Sequence, residues 1–249
     1  MANEDLLRLV ETSGFVFRGK AVEHPIPEAE VGAGAANKAV AVAVEEVMRG
    51  TDVLRGLKGR DVIVISEHVA AIETAGECVF FTECISLGAQ VVARELAHRQ
   101  AAPATLREIT EAISAAAERP LIERVRGAEL IVTGHVSSVR VLEKPFPPKS
   151  EHDPHWAVAR VAVRTVIKGR KPRGDIEVLF ASSDDIAWRH SPRLHEGSSG
   201  IFILRVMREH DEPRELPRSV YVAIDPLDFL PEDRLGEVRR GLDSEPGGR

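Results

Sequence analysis

One pattern of alternating residues occurs twice in this chain, and it restricts the folds that the chain can adopt. Residues 40–50 read VAVAVEEVMRG and residues 159–169 read ARVAVRTVIKG, so three valines, one alanine and one glycine coincide at an offset of 119. Each run alternates β-branched residues with small or charged ones and ends at a basic residue followed by glycine, which is typical of a half-buried strand that enters a turn. The repeat predicts a duplicated, β-rich module.

The segments around this run repeat in the same order. Residues 5–13 match residues 120–128 as a short amphipathic helix, and residues 15–19 match residues 130–134 as the first strand of each module. Glycine ends both first-strand segments, which indicates a bend or β-bulge of the kind that a small barrel needs at a corner. After the repeated second strand, three more strands are predicted in each copy: 61–65, 78–81 and 90–93, and then 175–179, 201–204 and 220–223.

A helical pattern follows each set of strands. Residues 103–118 carry apolar side chains at i, i+3 and i+7, and residues 231–242 carry a shorter, more charged version. The resulting map divides the 249 residues into a first module at 1–102, a connecting helix at 103–119, a second module at 120–242 and a disordered tail at 243–249.

Three segments carry a resemblance to a known architecture: AELIVTG at 128–134, VIKG at 166–169 and GSSGIFIL at 197–204. A helix, five strands and a second helix, present twice, resembles tandem OB-type β-barrels of the netrin and tissue-inhibitor-like kind, an order also found in bacterial proteins of unassigned function. The resemblance implies a mainly β fold with flanking helices (α+β), built from two tandem five-stranded OB-like β-barrels joined by a helix. The chain lacks the disulfide framework and the N-terminal cysteine of the secreted members, so protease inhibition is not implied for any residue.

Composition narrows the class of protein. A net charge of −6 and a pI near 5.9 argue against a surface tuned throughout to nucleic-acid phosphates. No apolar run reaches the roughly 18 residues of a membrane span and no secretory signal is recognisable, so we expect a cytoplasmic location. Cys78 and Cys84 would lie about 20 Å apart in one extended strand, which excludes a disulfide between them and agrees with a reducing compartment.

A basic stripe lies in the second copy of the repeated strand. Period-2 alternation, with Val161, Val163 and Ile167 pointing inward, places basic side chains on the opposite face and in the following turn. The first copy carries alanine, alanine and glutamate at the matching strand positions, so the stripe is not a property of the repeat. A solvated edge, binding of an anion or acidic partner, and nucleic-acid binding stay open, the last weakened by an aromatic content of 4%. The stripe consists of Arg160, Arg164, Lys168, Arg170, Lys171 and Arg173.

Histidines are concentrated in the second copy. His152 and His155 flank Asp153 and Pro154, and His190 and His195 follow between the third and fourth strands. Histidine and carboxylate at short spacing are metal-ligand chemistry, so these four residues are weak metal candidates. Solvated loop histidines are the favoured interpretation because the spacing matches no ligand template, and no cofactor is predicted.

Trp188 lies in the same segment, between Ile186 and Arg189. A large aromatic side chain on a loop is either an anchor for a binding partner or a cap over one end of a barrel. Trp156 is expected to begin the second strand of its module and to pack into the core.

Enzyme motifs are missing from the sequence: it has no G-x-S-x-G elbow, no phosphate-binding P-loop and no H-E-x-x-H. We therefore expect a non-enzymatic binding or scaffold protein that engages a protein partner or a larger assembly. The predicted surface lies on loops 24–37, 144–155 and 182–197, because the core-forming parts repeat whereas these loops differ. Two alternatives are kept: single-stranded nucleic-acid or anion binding through the basic face of the second module, and a metal-dependent hydrolase that uses the four histidines.

Overall fold

A computed structural model describes residues 2–26, 28–32, 34–87, 90–142, 154–183, 185–208, 216–217 and 219–244. Its contacts divide the chain into two compact units, residues 1–118 and 119–249, for which we keep the names first module and second module. None of the helices among these described residues is long and apolar enough to span a membrane.

The first module is a closed five-stranded β-barrel with a helix before it. Its elements are α1 (Ala2–Thr12), β1 (Phe15–Val22), α2 (Glu28–Val31), β2 (Ala39–Arg49), α3 (Asp52–Arg55), β3 (Asp61–Ile65), α4 (Val69–Thr74), β4 (Glu77–Leu87) and β5 (Val91–Gln100), followed by the first part of α5 (Pro103–Gly127). The strand order around the barrel is β1-β2-β3-β5-β4, and β4 closes onto β1. Strands β3 and β5 run parallel, and the other pairs are antiparallel.

The second module repeats this topology strand for strand. Its elements are the second part of α5, then β6 (Leu130–Val141), β7 (Trp156–Lys168), β8 (Ile176–Ala181), β9 (Ser199–Val206), β10 (Tyr221–Ala223), β11 (Phe229–Leu230) and α6 (Leu235–Asp243). The barrel order is β6-β7-β8-β10-β9, with β8 and β10 parallel, and β11 adds a short pairing to β9. The predicted fold class, two tandem OB-like barrels with flanking helices, is therefore confirmed.

One continuous helix replaces the two helices that the sequence predicts around Pro120. Helix α5 runs through this proline, which lacks only one backbone donor and leaves the neighbouring turns able to form. The first part of α5 packs on the first barrel through Ile109, Ala112 and Ala116, and the second part packs on the second barrel through Leu121 and Val125. At the C terminus, α6 ends at Asp243, and residues 245–249 of the predicted tail lie outside the described part of the chain.

Two layers of apolar contacts hold each module. Inward-facing side chains fill each barrel, including Phe17 and Phe80 in the first and Phe180 and Phe202 in the second. Flanking helices then pack on the outer side of strands one and four, where Val16 and Phe81 of the first module correspond to Ile131 and Ile203 of the second. Along strands one and four, alternate side chains enter the barrel interior and the outer layer under the helices. Both sets are apolar, so the sequences of these strands are nearly continuous apolar runs.

Bulges confirm the role predicted for the two glycines. The pairing register shifts next to Gly19 in β1 and next to Gly134 in β6. A Cβ atom on Gly134 would lie 2.5 Å from the carbonyl oxygen of Ala162, and a Cβ on Gly19 would collide with the carbonyl oxygen of Ala43. Only glycine allows the second strand to approach this closely.

The register shift at Gly134 also overturns one predicted side-chain orientation. It leaves Arg164 as an extra residue in β7 between Val163 and Thr165, so Val166 takes the inward position in place of Ile167. Val161, Val163 and Val166 contact the barrel interior, whereas Ile167 packs under the helices. The prediction that Ile167 points into the barrel is wrong, because strict alternation does not survive a bulge.

Candidate partner-binding site

The loop between β8 and β9, residues 182–197, forms a small ordered structure in its described part. A single 3-10 turn, Ile186–Trp188, begins at Asp185, whose Oδ1 accepts a hydrogen bond from the backbone N–H of Ala187 at 2.7 Å. The Asp185 backbone N–H in turn donates to Ser183 Oγ at 3.3 Å. Short polar side chains that bond their own backbone fix loops in this way.

Three contacts fasten this loop to the second barrel. The backbone N–H of Ser182 donates to the carbonyl oxygen of His155 at 2.6 Å, and Ser191 Oγ donates to the carbonyl oxygen of Ile224 at 2.9 Å. Leu194 is buried in the barrel core. The loop is thus anchored to the barrel by a hydrogen bond at Ser182, by a hydrogen bond at Ser191 and by the buried side chain of Leu194.

Apolar side chains remain at the surface of this fastened loop. Ile186 is 71% exposed, and the Trp188 ring meets the Trp156 ring edge-on with 5.7 Å between centroids. Trp156 begins β7, as predicted, but packs in a cluster on the outer side of the barrel and not in its interior. Trp188 therefore lies against this outer cluster. We refer to Ile186, Trp188 and Trp156 as the tryptophan surface.

Three of the six side chains of the predicted basic stripe form contacts within the second module. Arg160 Nε forms an ion pair with Asp175 Oδ2 at 3.8 Å, and Arg164 forms an ion pair with Glu232. Lys168 Nζ donates to the carbonyl oxygens of Val125 and Arg126, at 3.0 and 2.6 Å, at the C-terminal end of α5. A lysine in this position satisfies helix carbonyls that have no partner in the helix. Arg170 and Lys171 are exposed in the following turn, together with Arg173.

The histidines of the second module do not come together in the described part of the structure. His155, His190 and His195 are exposed, and His190 Nε2 accepts a hydrogen bond from Arg189 Nε at 2.9 Å. Within the described residues, no group of three or more histidine, cysteine or acidic side chains has a geometry that could hold a metal ion. His152, the fourth candidate, lies outside the described residues, as does most of loop 144–155.

Part of the outer face of strands two, three and five is covered in both modules. In the first module, Ala39 and Ile63 on this face lie under Ile26 and Val31 from the β1–β2 connection, so the predicted binding loop 24–37 serves in part as a cover. In the second module, Met207, Leu216 and Val220 from the β9–β10 connection contribute to the cluster on this face. Its buried strand residues are Val158, Leu179 and Val222. OB-type barrels bind oligonucleotides and sugars on the face of strands two and three, and here the chain itself covers part of that face.

Sequence reasoning missed a polar cluster inside one end of the first barrel. Glu95, whose side chain is only 5% exposed, accepts a hydrogen bond from Ser66 Oγ, and its Oε1 lies 2.5 Å from His98 Nδ1. Because the carboxylate can only accept, Nδ1 is the donor in this pair. His68 Nδ1 lies 3.8 Å from the other carboxylate oxygen, and the His68 backbone N–H donates to Ser66 Oγ at 2.8 Å.

The repeat itself shows that the barrel closes without this cluster. Ile65 pairs with Arg94 in the first module, and Leu179 pairs with Val222 at the matching register of the second. The next residues along, Ser66 and Glu95, therefore correspond to Phe180 and Ala223, which pack in the apolar core. A buried carboxylate is costly unless it is paired, so the histidine and serine contacts stabilise a group that the fold does not require. The sequence carried no signal for this cluster, because aligning the predicted fifth strands 90–93 and 220–223 places Glu95 opposite Asp225 instead of Ala223.

A second buried carboxylate joins elements of the second module. Asp228 is fully buried, receives hydrogen bonds from the backbone N–H groups of Ile224 and Asp225, and pairs with Arg124 of α5 at 2.5 Å. Burial raises the pKa of its carboxyl above the usual range, although the Arg124 guanidinium and the two N–H groups act in the opposite direction. This network holds the second part of α5 against the end of β10, which is a structural role.

No protein-family model matches the chain, and no curated protein matches it significantly.

Proposed function

We propose that the protein is a non-enzymatic binding or scaffold protein and that the tryptophan surface of the second module engages a protein partner. The observation that carries this proposal is the fastened loop 182–197, which keeps Ile186 exposed beside two packed tryptophan rings. Tryptophan is enriched at the centres of protein interfaces, and a loop that is already ordered loses little conformational entropy on binding.

A protein partner has more support than single-stranded nucleic acid. The chain covers part of the barrel face that OB-type modules use for oligonucleotides, and Phe15, Phe80, Phe81 and Phe202 are buried, so these rings cannot stack on bases. Arg160, Arg164 and Lys168 are engaged within the module, which leaves fewer cations for a phosphate backbone than the sequence alone indicates. The hydrolase alternative receives no support from His155, His190 and His195, because they form no metal-binding group in the described part of the chain.

We also infer kinship with modules of the netrin and tissue-inhibitor-like kind, and a cytoplasmic location. Two observations support these inferences. Helices flank each closed barrel on the side of its first and fourth strands. Cys78 and Cys84 lie in one strand and form no disulfide, which fits a reducing compartment.

Affinity capture from the cytoplasm of the source cell tests the proposed function. The wild-type protein is compared with Ile186→Asp and Trp188→Ala, and Val53→Asp serves as a matched control because Val53 is 69% exposed in the first module. We expect the wild type and the control to retain the same protein, and the two variants to lose it, since a charge at Ile186 or a missing ring at Trp188 removes the apolar centre of the contact. Equal capture by all four proteins, or capture of nucleic acid that nuclease treatment removes, would overturn the proposal.

A further inference from the structure

The turn between β7 and β8 presents cations that no described residue of the module neutralises. Arg170, Lys171 and Arg173 are exposed, and none of them forms an ion pair or hydrogen bond with another residue in the described part of the structure. They contrast with Arg160 and Arg164 on the preceding strand, which face Asp175 and Glu232.

The base of this turn is fixed by the Lys168 side chain and by a close backbone contact of Gly169. Lys168 holds the C-terminal carbonyl oxygens of α5, as described above. Gly169 has a φ of +91° and approaches the carbonyl oxygen of Glu129 so closely that a Cβ atom would collide with it. Pro172 further limits the backbone between Lys171 and Arg173. A turn restrained in this way loses little entropy when it binds a partner.

The corresponding connection of the first module has a different task. Between β2 and β3, helix α3 and the residues after it bury Leu54 and Leu57 in the barrel core. The shorter connection of the second module, residues 169–175, contributes no residue to the core clusters of the described chain. Its three cations therefore occupy a segment that is free of a packing role.

We propose that this turn is a docking site for an acidic protein segment, which it binds through Arg170, Lys171 and Arg173. Guanidinium groups match carboxylates with two parallel hydrogen bonds, and lysine adds a further positive charge. An acidic segment fits better than a nucleic acid because the connection, residues 169–175, contains no aromatic side chain on which a base could stack. This site goes beyond the proposed function: it lies on the connection that enters β8, whereas the tryptophan surface lies on the loop that leaves β8.

Fluorescence anisotropy with the full-length protein tests the docking site. The probes are a labelled hexaglutamate peptide and a labelled oligothymidylate, each at low and high NaCl concentration. We expect the protein to bind the peptide at low salt, and binding to weaken on the order of tenfold or more when Arg170, Lys171 and Arg173 are all changed to Glu. The matched control changes Arg55, Lys58 and Arg60 to Glu, which makes the same charge change at exposed positions in the corresponding connection of the first module.

Each outcome decides the proposal. Loss of peptide binding in the Arg170/Lys171/Arg173 variant but not in the control supports it. Equal loss in both variants assigns the effect to net charge and overturns the docking site, as does the lack of any peptide binding at low salt. Tighter binding of the oligothymidylate than of the peptide overturns it in favour of nucleic acid. Ile186→Asp distinguishes this site from the proposed function. We expect this change to disrupt partner binding at the tryptophan surface and to leave binding of the peptide unchanged.

Discussion

At the scale of single residues, both modules contain a buried carboxylate, but in different places and with different partners. Glu95 is tied to Ser66 and His98 inside the first barrel, whereas Asp228 is tied to Arg124 beside the second. Neither network could be predicted from the sequence, because the Ser66–Glu95 and Arg124–Asp228 contacts join residues of different elements, and a lone aspartate or glutamate resembles a solvated one. Only the fold brings Arg124 and Asp228 together across 104 positions.

Asp228 allows a prediction about pH. Because burial raises the pKa of its carboxyl, the folded state binds this proton more tightly than the unfolded chain does. Asp228 therefore contributes stability that is present below its unfolded pKa and is lost as the pH rises through the folded pKa. We expect the difference in free energy of unfolding between the wild type and Asp228→Asn to be larger at pH about 3 than at pH about 7.

Urea denaturation followed by tryptophan fluorescence measures this difference, since both tryptophans belong to the second module. The same substitution at the exposed Asp233 controls for the loss of one carboxylate. A difference that stays constant, or that grows with pH, would show that burial does not dominate the titration of Asp228.

At the scale of elements, the strands and most helices follow from the sequence because apolar periodicity is a local signal. All ten predicted strands are present, and both glycine bulges occur where the repeat indicates. The breaks in periodicity were harder to predict. The extra residue at Arg164 moves Ile167 to the outer face of the barrel, and Pro120 does not end α5. Both depend on contacts with neighbouring elements that a single strand or helix does not encode.

The close approach at Gly134 makes a matched pair of glycine substitutions informative. We expect Gly134→Ala to destabilise the second module by about 1–3 kcal/mol, because the new methyl group meets the backbone of β7 and not a side chain that can move. Gly174→Ala is the control, since a Cβ atom there has no neighbour within 4 Å. Urea denaturation at neutral pH provides the measurement, and equal stability of the two variants would contradict a structural need for glycine at position 134.

At the scale of the whole molecule, each module contains its own barrel core, and each core can be probed separately. Phe80 and Phe202 occupy corresponding positions in strands four of the two barrels. Cys78 reports on the first barrel because its thiol is buried there. Burial raises the pKa of this thiol, and the negative charges of Glu95 and Glu77 raise it further. A thiolate is required for modification, so we expect Cys78 to react slowly until this barrel opens.

We expect Phe80→Ala and Phe202→Ala each to destabilise its own module by about 3–5 kcal/mol, the usual cost of such a cavity. Phe80→Ala should accelerate modification of Cys78 and leave the fluorescence transition of the second module in place, and Phe202→Ala should do the reverse. Thiol labelling read by mass spectrometry and urea denaturation read by tryptophan fluorescence distinguish the two. If either variant moved both signals equally, the modules would unfold as a single cooperative unit.

The two covers over the barrel faces have a consequence for the history of the chain. Residues of the connection after the first strand lie against this face in both copies: Ile26 and Val31 in the first and Leu142 in the second. The second copy adds Met207, Leu216 and Val220 from the connection after the fourth strand. A cover that both copies share is most simply inherited, so we expect the ancestral single barrel to have already shielded this apolar sheet surface with its first connection.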